Sequence, residues 1–174
     1  MTKIHDLLEE FRKSLNMTFY VNYFYENPTR INEIVDIIKR QEKHPYSEYG
    51  SWILTHLVKR DASLIRPYQK DLIDIILTKQ NQSVARNVVN ILQFFEISNY
   101  MESELLDRYI SFIKENENKV SLQVYSMYCL VAYVKKYPEL KDELTSLIQL
   151  TTSEKSAAYK GGFKNFLNKI KKSS

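Results

Sequence analysis

The stretch LIDIILTKQNQSVARNVVNILQFFEI, residues 72–97, decides the fold, because its first half has been written before. Residues 34–41 read IVDIIKRQ, and the segment from Leu72 repeats that pattern 38 positions later. In both copies branched apolar residues recur at helical spacing around one Asp. The first copy runs into QEKHPY, a turn because Pro45 cannot continue a helix, and then into SEYGSWILTHLVKR. The second runs through QNQ into SVARNVVNILQFFEI, which predicts a helix over 83–97.

The same plan appears twice more. ESELLDRYISFIKE (102–115) leads through NENKV to SLQVYSMYCLVAYVKKY, and PELKDELTSLIQL (138–150) leads through TTSEK to SAAYKGGFKNFLNKI. Ser47, Ser83, Ser121 and Ser156 open the four second helices at intervals of 36, 38 and 35 residues. The apolar pairs Ile37–Ile38, Ile75–Ile76, Phe112–Ile113 and Leu147–Ile148 keep nearly the same period. A period in this range with two helices per unit marks a helical repeat array. One hairpin cannot cover its own apolar face, and stacked copies bury a shared core. The repetition therefore exists because each unit roofs its neighbour.

Upstream, Ile4, Leu7, Leu8, Phe11 and Leu15 form an amphipathic helix, and residues 16–25 a second short one. Pro28 disfavours helix at Asn27 and ends that pair, and Thr29 is the expected N-cap of the helix over 30–40. The organisation expected is one domain over 1–174. Residues 1–27 form a cap, and repeats follow at about 29–60, 67–97, 102–137 and 138–172. The fold class is all-α, a right-handed α-α superhelix of about four hairpins.

This pattern resembles HEAT-like repeats. YSEYGSWILTHLVK, VYSMYCLVAYVKKYPELKDEL and SAAYKGGFKNFLNKIKK further resemble a small bacterial family of about this length. Its members show Y-x-x-(A/G)-W-I-L, A-Y-S-M and S-A-A-Y-K. Tyr49, Gly50, Trp52, Ile53 and Leu54 approximate the first motif with looser spacing. Tyr125, Ser126 and Met127 give the second, and Ser156 to Lys160 the third. The resemblance covers residues 16–172. Such proteins are sometimes mislabelled adenylosuccinate lyase. The lyase is more than twice this length, and its loop S-S-x-M-P-x-K-x-N-P has no counterpart in this chain.

Composition narrows the function. The 174 residues hold one cysteine, Cys129, so no internal disulfide and no cysteine-based zinc cluster can form. Its setting in SMYCLVAYV reads as a buried core thiol. No apolar h-region follows Met1, and no apolar run reaches the ~18 residues of a membrane span, so a cytoplasmic setting is expected. The net charge of +4 is uneven. Residues 1–154 carry 19 basic and 21 acidic side chains, and six lysines with no acid follow. The sequence pI near 9.0 thus belongs to the C-terminal segment.

Catalytic motifs are absent. His5, His44 and His56 are far apart, and no H-E-x-x-H, Walker A or G-x-S-x-G occurs. His44 reads as solvated and His56 as a packed or rim histidine. Lys160-Gly161-Gly162 lacks the glycine spacing of a phosphate loop. The two glycines read as a place where helices approach closely or the last helix kinks. No catalytic residue, metal ligand or cofactor is assigned.

Binding is the better reading. In a helical solenoid the second helices line the concave face. Aligning them gives columns of Tyr49, Arg86 and Tyr159; of Gly50, Asn87, Tyr125 and Lys160; and of Asn90, Tyr128 and Phe163. Arg86, Asn90 and Gln93 follow at i, i+4 and i+7 as one polar stripe. Tyr, Asn and Arg suit protein or peptide recognition, because Tyr offers area at low entropic cost and Arg offers forked donors. The alternative partner is nucleic acid, through Arg86, Lys160, Lys164 and the tail NKIKKSS, with tyrosines stacking on bases.

Overall fold

The computed structural model describes residues 2–152 and 155–172. All of the regular structure in them is helical, so the expected fold class holds. Ser153 and Glu154 of the TTSEK connection and the last two residues of the tail lie outside the described residues. The chain divides into two compact units, Met1–Phe95 and Glu96–Ser174.

In the first unit, α1 (Ile4–Ser14) and α2 (Met17–Glu26) precede two hairpins, α3 (Ile31–Lys39) with α4 (Tyr46–Arg60), and α5 (Gln69–Leu77) with α6 (Gln82–Leu92). First helix packs on first, α3 against α5, and second on second, α4 against α6, while α1 and α2 cover the other flank of α4. The duplicated text is the apolar seam of this arrangement. Ile34, Val35, Ile37 and Ile38 and their counterparts Leu72, Ile73, Ile75 and Ile76 are all at most 2% exposed. Burying a side chain of this kind contributes about 1.5–3 kcal/mol, so eight of them define the register of the two hairpins. Lys39 Nζ reaches Asp71 Oδ1 at 2.6 Å across the surface of α3 and α5.

In the second unit, α7 (Glu102–Lys114) pairs with α8 (Val120–Lys136), and α9 (Lys141–Leu150) with α10 (Ala157–Lys171). The second helices again lie side by side, α8 against α10. Gly162 makes this approach possible: a Cβ there would sit 2.5 Å from Val124 Cγ2. Gly161 has nothing within 4 Å of its Cβ position, and α10 runs unbroken through both glycines. Close approach is the reading that stands, and it belongs to one glycine of the two. Cys129 is buried as expected, and burial pushes its thiol up to about 12.

Helix boundaries depart from the sequence reading, and α9 begins at Lys141, after a 3-10 turn over Pro138–Leu140, instead of at Pro138. Thr29 does not cap α3, because a 3-10 turn over Pro28–Arg30 delivers the chain into the helix and Arg30 occupies the cap position. The aligned serines are not equivalent caps. Ser156 accepts from the Tyr159 amide and caps α10. Ser47, Ser83 and Ser121 are each the second residue of their helix, and Asn81 caps α6. Ser47 instead turns its hydroxyl back to the carbonyls of Ile37, near the end of α3, and of Glu42, in the connection that follows it. Gln123 does the same in the second unit, donating to Ile113 O and Glu115 O. Finally, α6 stops at Leu92, not at residue 97. Tightened turns from Ile91 and Leu92 let Phe95 fold inward, 6% exposed, with the Arg66 guanidinium 5.6 Å from its ring centre.

Asn81 holds two connections at once: its Oδ1 accepts from the Val84 amide and its Nδ2 donates to Glu48 Oε1 on α4. Asn81→Ala is expected to lower stability by about 1–2 kcal/mol, read as a fall in the urea midpoint at constant slope. Asn81→Asp keeps the cap but sets a second carboxylate against Glu48, and should cost at least as much as Asn81→Ala at neutral pH.

Candidate functional site

The face of α4 turned toward α6 carries a polar cluster on an otherwise apolar seam. Ser51 is fully buried, and its hydroxyl donates to Glu48 O at 2.9 Å. Asn87, 4% exposed, crosses from α6 and donates its Nδ2 to Ser51 Oγ at 2.9 Å. The Asn87 Oδ1 on the other side of that amide accepts from Arg86, at 3.2 Å from Nε and 3.0 Å from Nη2. Buried serine, buried amide and guanidinium thus form a relay that holds Arg86 from behind. Its Nη1 has no protein acceptor among the described residues, and the ion pairs of those residues do not include it. One turn further, Gln93 Nε2 donates to both Asn90 O and Asn90 Oδ1.

The cluster has a second charge. Glu48 Oε1 accepts from Asn81 and has His44 Nδ1 at 3.7 Å, while Glu48 Oε2 is buried without any hydrogen-bond partner. An unmet carboxylate oxygen is costly in a low dielectric. Sequence reading missed Glu48 and Ser51, which look there like an ordinary first-turn acid and a serine one turn further along the helix. Ser51 hydroxyl is committed as donor to Glu48 O and as acceptor to Asn87.

The candidate residues separate into groups. Arg86, Asn87, Asn90 and Gln93 come together on α6 as the helical spacing implies. Tyr49 belongs to an aromatic cluster with Phe11, 5.3 Å between ring centres, and Trp52, 6.3 Å. In the second unit, Tyr125 and Tyr128 are half-buried neighbours on α8, 6.4 Å apart, and Lys160 is exposed on α10. Tyr159 is fully buried, with its hydroxyl against Thr151 Oγ1, and burial pushes its ionisation up. Its ring is core packing beneath α10 and offers no surface to a partner.

Each histidine has its own partners. His5 Nε2 meets Glu42 Oε2 at 2.6 Å, His44 is exposed as expected, and His56 packs edge-on to Trp52, where burial and then Lys59 lower its pKa. No group of three or more His, Cys, Asp or Glu among the described residues could hold a metal ion. No helix among them is long and apolar enough to cross a membrane. A cleft of about 430 Å³ in the second unit is lined by Leu106, Tyr133, Tyr137 and Leu140, with Glu102, Ser103 and Glu139 at its polar side. Tyr133 donates to Glu102 O, and Lys136 clamps the Glu102 carboxylate at 2.7 and 2.9 Å. These contacts stiffen the wall of the cleft.

No curated protein and no solved structure matches this chain. A family model described as HEAT repeat domain matches residues 4–172, nearly its whole length. With second helices packed side by side in each unit, and first on first in the first unit, the chain belongs to the HEAT repeat domain family.

Proposed function

We propose that this protein is a non-enzymatic interaction module that binds a protein or peptide, with Arg86 as the anchor in the first unit. One observation supports the reading above others: a guanidinium without an ion-pair partner, fixed by Asn87 and Ser51 with outward donors free. A side chain held this way loses little entropy on binding, and its fork matches a carboxylate. Asn90 is buried, 8% exposed, and serves to hold Gln93, which continues the polar row at the end of α6, while the Tyr49–Trp52 cluster supplies apolar area on α4. In the second unit, Tyr125, Tyr128 and Lys160 offer aromatic area and a further donor. Ser51 is engaged on both sides of its hydroxyl, which supports binding over chemistry.

The test is capture from a lysate of the native host on immobilised protein, with mass spectrometry, comparing wild type, Arg86→Glu and Tyr125→Ala. The expected result is a partner whose affinity falls tenfold or more with Arg86→Glu while the thermal midpoint stays within about 2 °C. A partner held equally by wild type and Arg86→Glu removes Arg86 from the site. Turnover of any substrate by the wild type overturns the reading altogether.

A further inference from the structure

A glycine on the exposed side of a helix costs about 0.5–1 kcal/mol relative to alanine. The two glycines of α10 differ sharply in what they return for that cost. Gly162 is buried and makes room for Val124. Gly161 is exposed, makes room for nothing among the described residues, and has an ordinary right-handed helical backbone. Its missing side chain leaves a bare patch of helix backbone.

The surroundings of that patch are cationic and aromatic. Lys160, Lys164 and Lys171 are exposed at i, i+4 and i+11, one side of α10, and Lys172 follows. None of these four lysines forms an ion pair among the described residues. No acidic residue occurs from Lys155 to the end of the sequence. The rise of 1.5 Å per residue sets Lys160 and Lys164 about 6 Å apart along the axis, and Lys164 and Lys171 about 10 Å. Asn165 and Lys164 are the helical neighbours of Gly161 one turn on. Asn165 Nδ2 donates to Tyr128 OH at 3.3 Å, and Lys169 Nζ lies 4.8 Å from the centre of the same ring. Tyr125, with part of its ring exposed, stands next to Tyr128. Packing of Tyr159, Gly162, Phe166 and Ile170 against the core fixes the rotation of α10, so the lysines are held on one exposed side of it.

We infer that this face of α8 and α10 binds single-stranded nucleic acid, with the phosphate backbone against Lys160, Lys164 and the bare backbone at Gly161, and bases against Tyr125 and Tyr128. Glycine is the residue that lets a ligand come up to a helix backbone. Lysines act as point charges toward phosphates, whereas carboxylate recognition favours the fork of arginine, of which α10 has none. Unpaired bases offer the π-faces that tyrosines stack on without sequence preference. Tyr125, Tyr128 and Lys160 are thereby assigned to nucleic acid in place of a peptide, and no residue of the first unit, Arg86 included, takes part.

Fluorescence anisotropy of labelled 15-nucleotide oligo-dT and oligo-U with the full chain tests it. Logarithmic affinity should fall with logarithmic salt at a slope of about −2 to −3, three to four phosphates at ~0.7 each. Lys160→Glu with Lys164→Glu should weaken binding at least tenfold, and Arg86→Glu should leave it unchanged. Gly161→Ala is the decisive variant. It should raise the thermal midpoint by about 1–4 °C and weaken binding severalfold. Absence of binding by the wild type, or unchanged binding by Gly161→Ala, overturns the proposal. So does equal or tighter binding of polyglutamate or of phosphatidylserine vesicles, which would make the face a site for acidic proteins or lipid surfaces.

Discussion

Glu33→Ala is expected to cost about 3 kcal/mol, although Glu33 touches no part of the candidate site and keeps 31% of its side chain exposed. The cost falls on its partner. Arg30 is only 3% exposed, and its guanidinium is held by both Glu33 oxygens, at 2.7 and 2.9 Å, by Tyr23 OH and by Thr2 O. It ties the start of α1 and the body of α2 to the first turn of α3. Removing Glu33 leaves a buried positive charge with only neutral acceptors, whereas removing both charges can be nearly neutral. A cycle of Glu33→Ala, Arg30→Met and the double variant should therefore show a double variant more stable than Glu33→Ala alone. The midpoint of Glu33→Ala should fall by about 6–12 °C.

The pair also sets a pH dependence. Hydrogen bonding from Arg30 holds the Glu33 carboxyl below its ordinary range, outweighing the opposing effect of burial. A carboxyl depressed in the folded state contributes stability that is present above its unfolded pKa. That contribution is lost as pH falls through the folded value. Between pH 7 and 5 the wild type should keep its advantage over Glu33→Ala. Below about pH 4 the gap should narrow, because Glu33 takes up its proton and the pair dissolves. A gap that widens on acidification would show that the carboxylate does not stabilise the fold.

How much of this was readable in advance depends on the range of the interactions. The paired isoleucines at 37–38 and 75–76 obey a local rule, helical period, and every one of them is buried. The repeat follows from them, and the family match over residues 4–172 agrees. Arg86, Asn90 and Gln93 were legible as a stripe for the same reason. Partners across helices were not. Ser47 looks like a cap until Pro45 is seen to hold the cap position, after which its hydroxyl serves α3 and the connection that follows it. Asn87 looks like part of the binding stripe, yet its amide is spent between Ser51 and Arg86. Tyr159 shares a motif with exposed Lys160 and points the opposite way, since adjacent helical residues diverge by about 100°. Sequence spacing gives the side of a helix; which neighbour that side meets is a tertiary fact.

The same distinction makes Gly162→Leu the most damaging single change on α10, and Gly162→Ala a graded version of it. An alanine Cβ would lie 2.5 Å from Val124 Cγ2, 2.8 Å from Cγ1 and 3.2 Å from Cβ, so the Val124 side chain or one of the two helices has to shift. Overpacking of this kind costs about 1–3 kcal/mol, and removing a helical glycine returns about 0.5–1. Gly162→Ala should therefore lose about 1–2 kcal/mol in chemical denaturation, opposite in sign to its neighbour Gly161→Ala. A leucine cannot be absorbed by a small shift, and it should unseat α10 from α8 and expose Phe166 and Ile170, detected as binding of a hydrophobic dye and lost near-ultraviolet dichroism. Because the opposing atoms belong to one side chain, Val124→Ala should rescue Gly162→Ala while destabilising the wild type by leaving a void. If instead both glycine variants move stability in the same direction, the close approach of α8 and α10 does not govern how the last helix is seated.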